Sequence, residues 1–127
     1  MYYLNKTVHC SFEEAEAKIR ASLKDIGFGI LTEIDMQSTM QSRLGKDIGK
    51  YKILGACNPE FAYNAIQVEQ KIGIMLPCNV TVIENEEGSI DISVMDPVVA
   101  LGIVSNKAVD PYAQEVKDLI EQALDNL

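Results

Sequence analysis

Three observations on this sequence predict an α+β fold, one mostly antiparallel sheet with its helices packed on one face. Stretches that alternate apolar and polar residues take turns with stretches of helical period, so strands and helices interleave along the chain. The strand stretches alternate rather than run continuously apolar, which suits an antiparallel sheet with one solvated face. Cys78 to Glu84 and Ser89 to Met95 read as a hairpin, Val80 and Val82 against Ile90, Ile92 and Val94, around the acidic turn Asn85-Glu86-Glu87-Gly88.

Each element has its own warrant. Tyr2 to Val8 opens as a strand, with Tyr2, Leu4, Val8 and Cys10 on one face and Asn5, Thr7 and His9 on the other. Ser11 then caps a helix, and Glu14 three residues on completes a capping box. Phe12, Ala15, Ile19, Leu23 and Ile26 give that helix its apolar stripe, and Gly27 stops it. Gly29 to Glu33 is the second strand. Asp35 caps a short helix seamed by Met36, Met40 and Leu44 and ended by Gly45.

Tyr51 to Ala56 is the third strand, leading into Asn58-Pro59, a strong helix start because proline at the first helical position loses no needed donor. That helix is predicted over Pro59 to Lys71. After the hairpin, Asp96-Pro97 starts a short helix through Leu101, and Asp110-Pro111 caps a terminal helix. The stripe of the latter is Val116, Leu119, Ile120, Ala123, Leu124 and Leu127. Strand order stays open at this point.

With 127 residues, no internal repeat and no linker, residues 1–127 read as a single domain large enough for one core. The net charge of −8 repels phosphate backbones and anionic lipid heads, so neither nucleic acid nor membrane is the expected partner. No basic region precedes an apolar run, and no stretch nears the roughly 20 apolar residues of a membrane span. Three cysteines in a chain so read are expected as reduced thiols, and the expected location is the cytoplasm.

Several motifs occur in order: Gly27-Phe28-Gly29-Ile30-Leu31-Thr32-Glu33-Ile34-Asp35, Tyr51-Lys52-Ile53-Leu54-Gly55-Ala56-Cys57-Asn58-Pro59, Gly73-Ile74-Met75-Leu76-Pro77-Cys78-Asn79-Val80, and Met95-Asp96-Pro97. Together they resemble the Domain of Unknown Function 302 family, small prokaryotic proteins of unassigned activity. The resemblance implies an α+β fold in a TATA-binding-protein-like arrangement, without DNA binding, and a homodimer. It supplies no catalytic residue and no cofactor.

The strongest chemical feature is a repeated Cys-Asn pair, Cys57-Asn58 and Cys78-Asn79. Cys57 precedes a helix start, where the helix dipole can favour the thiolate, the form that attacks electrophiles or binds soft metals. Cys78 lies beside Cys57 if the chain returns along the sheet after the third helix, and at the far end if that helix covers the return. The six residues Ile72 to Pro77, reaching roughly 20 Å when extended, allow both. The alternative is that both thiols are inert packing residues, since free cysteine is among the most buried types. His9 and Cys10 do not extend the pair to a zinc set, because strand neighbours point to opposite faces and no Cys-x-x-Cys exists.

Arg43, Lys46, Lys50 and Lys52 form a basic segment beside Gly45 and Gly49, an anion site or simply a solvated, dipole-offsetting loop. The apolar stretches Ile72 to Pro77 and Val98 to Val104 are core, subunit contact or pocket wall, with Tyr51 and Tyr63 as polar handles for a pocket. The reading that follows is a cytosolic homodimer binding a small molecule or soft ligand near Cys57, Asn58, Cys78, Asn79 and Tyr51. Its rivals are a thiol enzyme with Cys57 as nucleophile, which lacks an evident base, and a structural interaction module.

Overall fold

The computed structural model describes residues Met1–Leu127. In chain order the elements are β1 (Tyr3–Val8), α1 (Phe12–Asp25), β2 (Gly29–Asp35), α2 (Met36–Leu44), β3 (Tyr51–Cys57) and α3 (Pro59–Val68). A 3-10 helix (Gln70–Met75), β4 (Cys78–Glu84), β5 (Ile90–Met95), α4 (Pro97–Gly102) and α5 (Asp110–Asp125) follow. The five strands form one sheet of order β1-β5-β4-β3-β2, antiparallel at every joint. No helix is long and apolar enough to cross a membrane.

Side-chain alternation gives the sheet two unlike faces. Leu54 and Ala56, Cys78, Val80 and Val82, and Ile90, Ile92 and Val94 are buried on one of them. Against this face pack the stripes of α1 (Phe12, Ala15, Ile19, Leu23) and α5 (Val116, Ile120, Ala123, Leu124), which close a core of 18 buried residues. The expected stripes face this core, with Ile26, Leu119 and Leu127 only partly buried at its edge. A buried hydrogen bond from Ser22 Oγ to the carbonyl oxygen of Ala123, 2.6 Å, locks the two helices together. Ser11 accepts from the Glu14 amide at 3.1 Å, one half of the expected capping box, and Asp35 accepts from the Ser38 amide at 3.0 Å.

The chain departs from expectation in α2, whose expected seam of Met36, Met40 and Leu44 is not buried, and in two places around a second, smaller core. The third helix ends at Val68, short of Lys71. Glu69 is extended, and a 3-10 turn resumes at Gln70. This break lets Ile72 join Ala65, Leu101, Val109 and Ala113 in a separate buried cluster. Asn106 holds the break, its amide donating to the Val68 carbonyl at 3.0 Å and to Glu69 Oε1 at 3.2 Å. The terminal helix is not capped by Asp110, which lies inside its first turn; buried Val109 precedes the helix with no side-chain cap. The polar job there falls to Asn106, whose Oδ1 accepts from the Ala108 amide at 3.0 Å.

Candidate functional site

The site begins where β3 runs into α3. Asn58 caps α3, its Oδ1 accepting from the amides of Glu60 (3.2 Å) and Phe61 (3.3 Å), with Pro59 next. The other side of the Asn58 amide packs on Gly27. A Cβ at Gly27 would stand 3.2 Å from Asn58 Nδ2, and the backbone there has φ +88°, so glycine serves both the turn after α1 and this approach. Asn58 therefore fixes the strand-to-helix corner, and its carbonyl is spent on doing so.

The chain after α3 returns along the sheet. β4 pairs antiparallel with β3, with Ala56 opposite Cys78, so Cys57 is one residue from the partner of Cys78. Of the two courses open in the sequence, the one that brings the thiols together is realised. At this end of the sheet lies a cavity of about 40 Å³, walled by residues of β3, α3, α4 and α5 and by Leu76 and Pro77. It is large enough for about three water-sized groups at roughly 10–15 Å³ each. Phe28, Phe61, Ala65, Leu76, Leu101 and Val116 give it apolar walls, and Cys57, Cys78 and Tyr112 bring its uncommitted heteroatoms.

Electrostatics act against thiolates here. Cys57 is half-buried and Cys78 buried. Burial pushes the Cys57 thiol up from its ordinary value. It pushes Cys78 up to about 11, with the neighbouring Cys57 adding in the same direction. Burial thus acts in the direction opposite to the expected help of the α3 N-terminus. Both sulfurs are protonated at neutral pH, which makes them weak donors and poor nucleophiles.

The structure divides the five predicted ligand-binding residues. Cys57, Asn58 and Cys78 line the cavity, whereas Asn79 and Tyr51 lie on the opposite face of the sheet and line a different concavity. The reason is local: Asn79 follows Cys78 in a strand and must point the other way. Tyr63 is 65% exposed and does not reach the cavity; Tyr112 supplies the phenol instead. Tyr112 was hidden in the sequence because it sits one residue after Pro111. Its one signal is the four-residue spacing to Val116, which places it on the α5 stripe.

Cys10 lies at the other end of the sheet, just after Val8, which pairs with Ile90. Two of the four residues of the basic segment are paired with carboxylates of α1 and β2, whereas Arg43 and Lys46 make no ion pair. Lys52 reaches Glu16 at 2.7 Å and Glu33 at 2.8 Å, and Lys50 reaches Glu13 at 3.1 Å while standing 5.8 Å over the Phe12 ring.

The sequence pattern described as domain of unknown function DUF302 matches residues 4–127. The chain belongs to the DUF302 family. A crystal structure described as an uncharacterized conserved protein DUF302 from Bacillus stearothermophilus is 25% identical, with TM-score 0.92 over 99% of this chain and 98% of that one. No curated protein matches. In this DUF302 chain two of the motifs that carry the resemblance meet at one cavity, through Ala56-Cys57-Asn58 and Leu76-Pro77-Cys78, although some twenty positions apart in sequence.

Proposed function

We propose that the chain is a binding protein for a small, predominantly apolar or soft molecule, received in the cavity between the β3–β4 end, α3, α4 and α5. The observation that carries this reading is the lining: apolar walls converge with two protonated thiols and one phenol, the pattern of a small-molecule site. Asn58 holds the corner, Cys57 and Cys78 face the ligand, and Tyr112 takes a polar end. The raised thiol values weigh against Cys57 as a catalytic nucleophile.

In the same proposal the protein is a cytoplasmic homodimer. Three free thiols suit a reducing compartment. Ile74 (82% exposed) and Ile103 (74%), with Val98 and Val99, leave apolar side chains in solvent on the elements that share the second core cluster, as subunit contacts do. Sedimentation equilibrium reads the state directly, and Ile74→Asp with Ile103→Asp is expected to give monomer.

Dimethyl sulfide, a soft molecule of three heavy atoms that suits a cavity of about 40 Å³, serves as the probe. Calorimetric titration into the full chain should give one site, and Ala62→Phe, which fills the cavity from α3, should abolish it. Dimethyl sulfide should also slow alkylation of Cys57 by iodoacetamide. Equal dimethyl sulfide binding by Ala62→Phe and the parent would sink the proposal.

A further inference from the structure

The sheet face turned away from α1 and α5 carries a second concavity, of about 470 Å³, floored by β1, β5, β4 and β3. Register lays Asn5 beside Ser93 and Ser93 beside Thr81 along its middle, and sets Tyr51 beside Ile83 and Ile83 beside Asp91 along one side. Tyr2, Tyr3 and Tyr51 stand around this strip of amides and hydroxyls. Asp91 is the sole charged residue of the lining, and no lysine or arginine contributes.

Asp91 is held in place. Its Oδ1 accepts from Asn5 Nδ2 at 3.1 Å, and its Oδ2 accepts from Ser93 Oγ at 2.6 Å. A carboxylate has about four acceptor sites, so each oxygen keeps a free lone pair. Asn79 and Thr81 add an amide and a hydroxyl that these bonds do not use.

We propose that this trough binds a small organic cation with N–H donors, of the diamine class. One ammonium sits on the free lone pairs of Asp91, and the second reaches the face of Tyr51, two strand spacings or about 10 Å away. Charge decides the class: a chain of net charge −8 with one fixed carboxylate and three electron-rich rings in the trough attracts cations and repels anions. An uncharged sugar would find hydrogen bonds there but leave the carboxylate without a counter-charge. The volume is within the usual span of small-molecule sites, roughly 300–1,000 Å³. This site is independent of the thiol-lined cavity, and nothing in it requires that cavity to be filled.

Calorimetric titration of the full chain with putrescine at low ionic strength tests the assignment. One site is expected, weakened by added salt. Asp91→Asn, which keeps an oxygen for Ser93 and hence the fold, should weaken it about tenfold or more. Tyr51→Leu should weaken it severalfold with an unchanged circular dichroism spectrum, and Glu115→Gln, on exposed α5 surface, should change nothing. Four results would overturn the assignment: no binding, equal weakening by Asp91→Asn and Glu115→Gln, glucose binding as tightly as putrescine, or a dimer in which a second copy protects Tyr51.

Discussion

Gly55 offers the sharpest mechanical test, because it sits where the sheet supports the thiol-lined cavity. It pairs with Thr32 on β2 and Asn79 on β4 and is buried. A Cβ added there would collide with Thr32 Oγ1 and lie 2.7 Å from Pro77 Cγ. Threonine can turn away, though as a β-branched residue it leaves its well at about 0.5–1.5 kcal/mol. The Pro77 ring has no rotamer to turn to, and its retreat drags the residue that precedes Cys78. Overpacking usually costs about 1–3 kcal/mol, and with two clashes Gly55→Ala belongs near the top, about 2–3 kcal/mol. Total stability is on the order of 5–15 kcal/mol, so the loss is large. With a urea slope of about 1–3 kcal/mol per molar, the unfolding midpoint should fall by roughly 0.7–3 M. The double variant Thr32→Ala, Gly55→Ala should recover part of this, since only the proline contact remains. Native alkylation of Cys78 should also quicken in the single variant. A midpoint indistinguishable from the parent, or a double variant no better than the single one, would refute the reasoning.

Three further outcomes follow from the same geometry. Burial keeps the Cys78 thiol protonated up to about 11 against its ordinary 9.0, so the unfolded chain gives up that proton first as pH rises. Stability is therefore fully present below about pH 9 and declines between about 9 and 11 by roughly 2–3 kcal/mol, with Cys57 adding in the same direction. Urea midpoints across that range should show Cys78→Ala flatter than the parent, and parallel profiles would contradict the assignment. Ser22→Ala strips the buried carbonyl of Ala123 of its 2.6 Å partner and should cost about 1–3 kcal/mol in urea unfolding. Asn58→Ala removes the α3 cap at a cost of about 1 kcal/mol and should speed hydrogen exchange at the Glu60 and Phe61 amides.

The legible parts of the fold are those written in neighbouring residues. Ser11 with Glu14, Asp35 before Met36, and Asn58-Pro59 each mark a helix start through bonds spanning two or three positions, and all three caps are present. Strand alternation likewise places Val80, Val82, Ile90, Ile92 and Val94 inside. Distant partners decide the rest. The end of α3 at Val68 depends on Asn106, 37 positions after Glu69, and on a buried place for Ile72. No local pattern carries that.

The candidate site is half legible in the sequence. Cys57, Asn58 and Cys78 converge, but whether Cys78 comes back beside Cys57 depends on the course taken after α3, which either length of that helix allows. Asn79 and Tyr51 belong elsewhere. The two-residue period of a strand already separates Cys78 from Asn79, and adjacency in sequence is no guide to a shared face. The dipole of α3 is a reason to expect a low thiol pKa at Cys57, and burial in the apolar corner, which only the assembled fold creates, pushes that thiol the other way.

A crystal of the full chain equilibrated under xenon tests the cavity most directly, because dry apolar cavities take up that gas and hydrated ones do not. One xenon site bounded by Phe61, Ala65, Cys78 and Leu101 is the expected result. A chain of ordered waters bonded to Cys57, Cys78 and Tyr112, with no xenon, would contradict it.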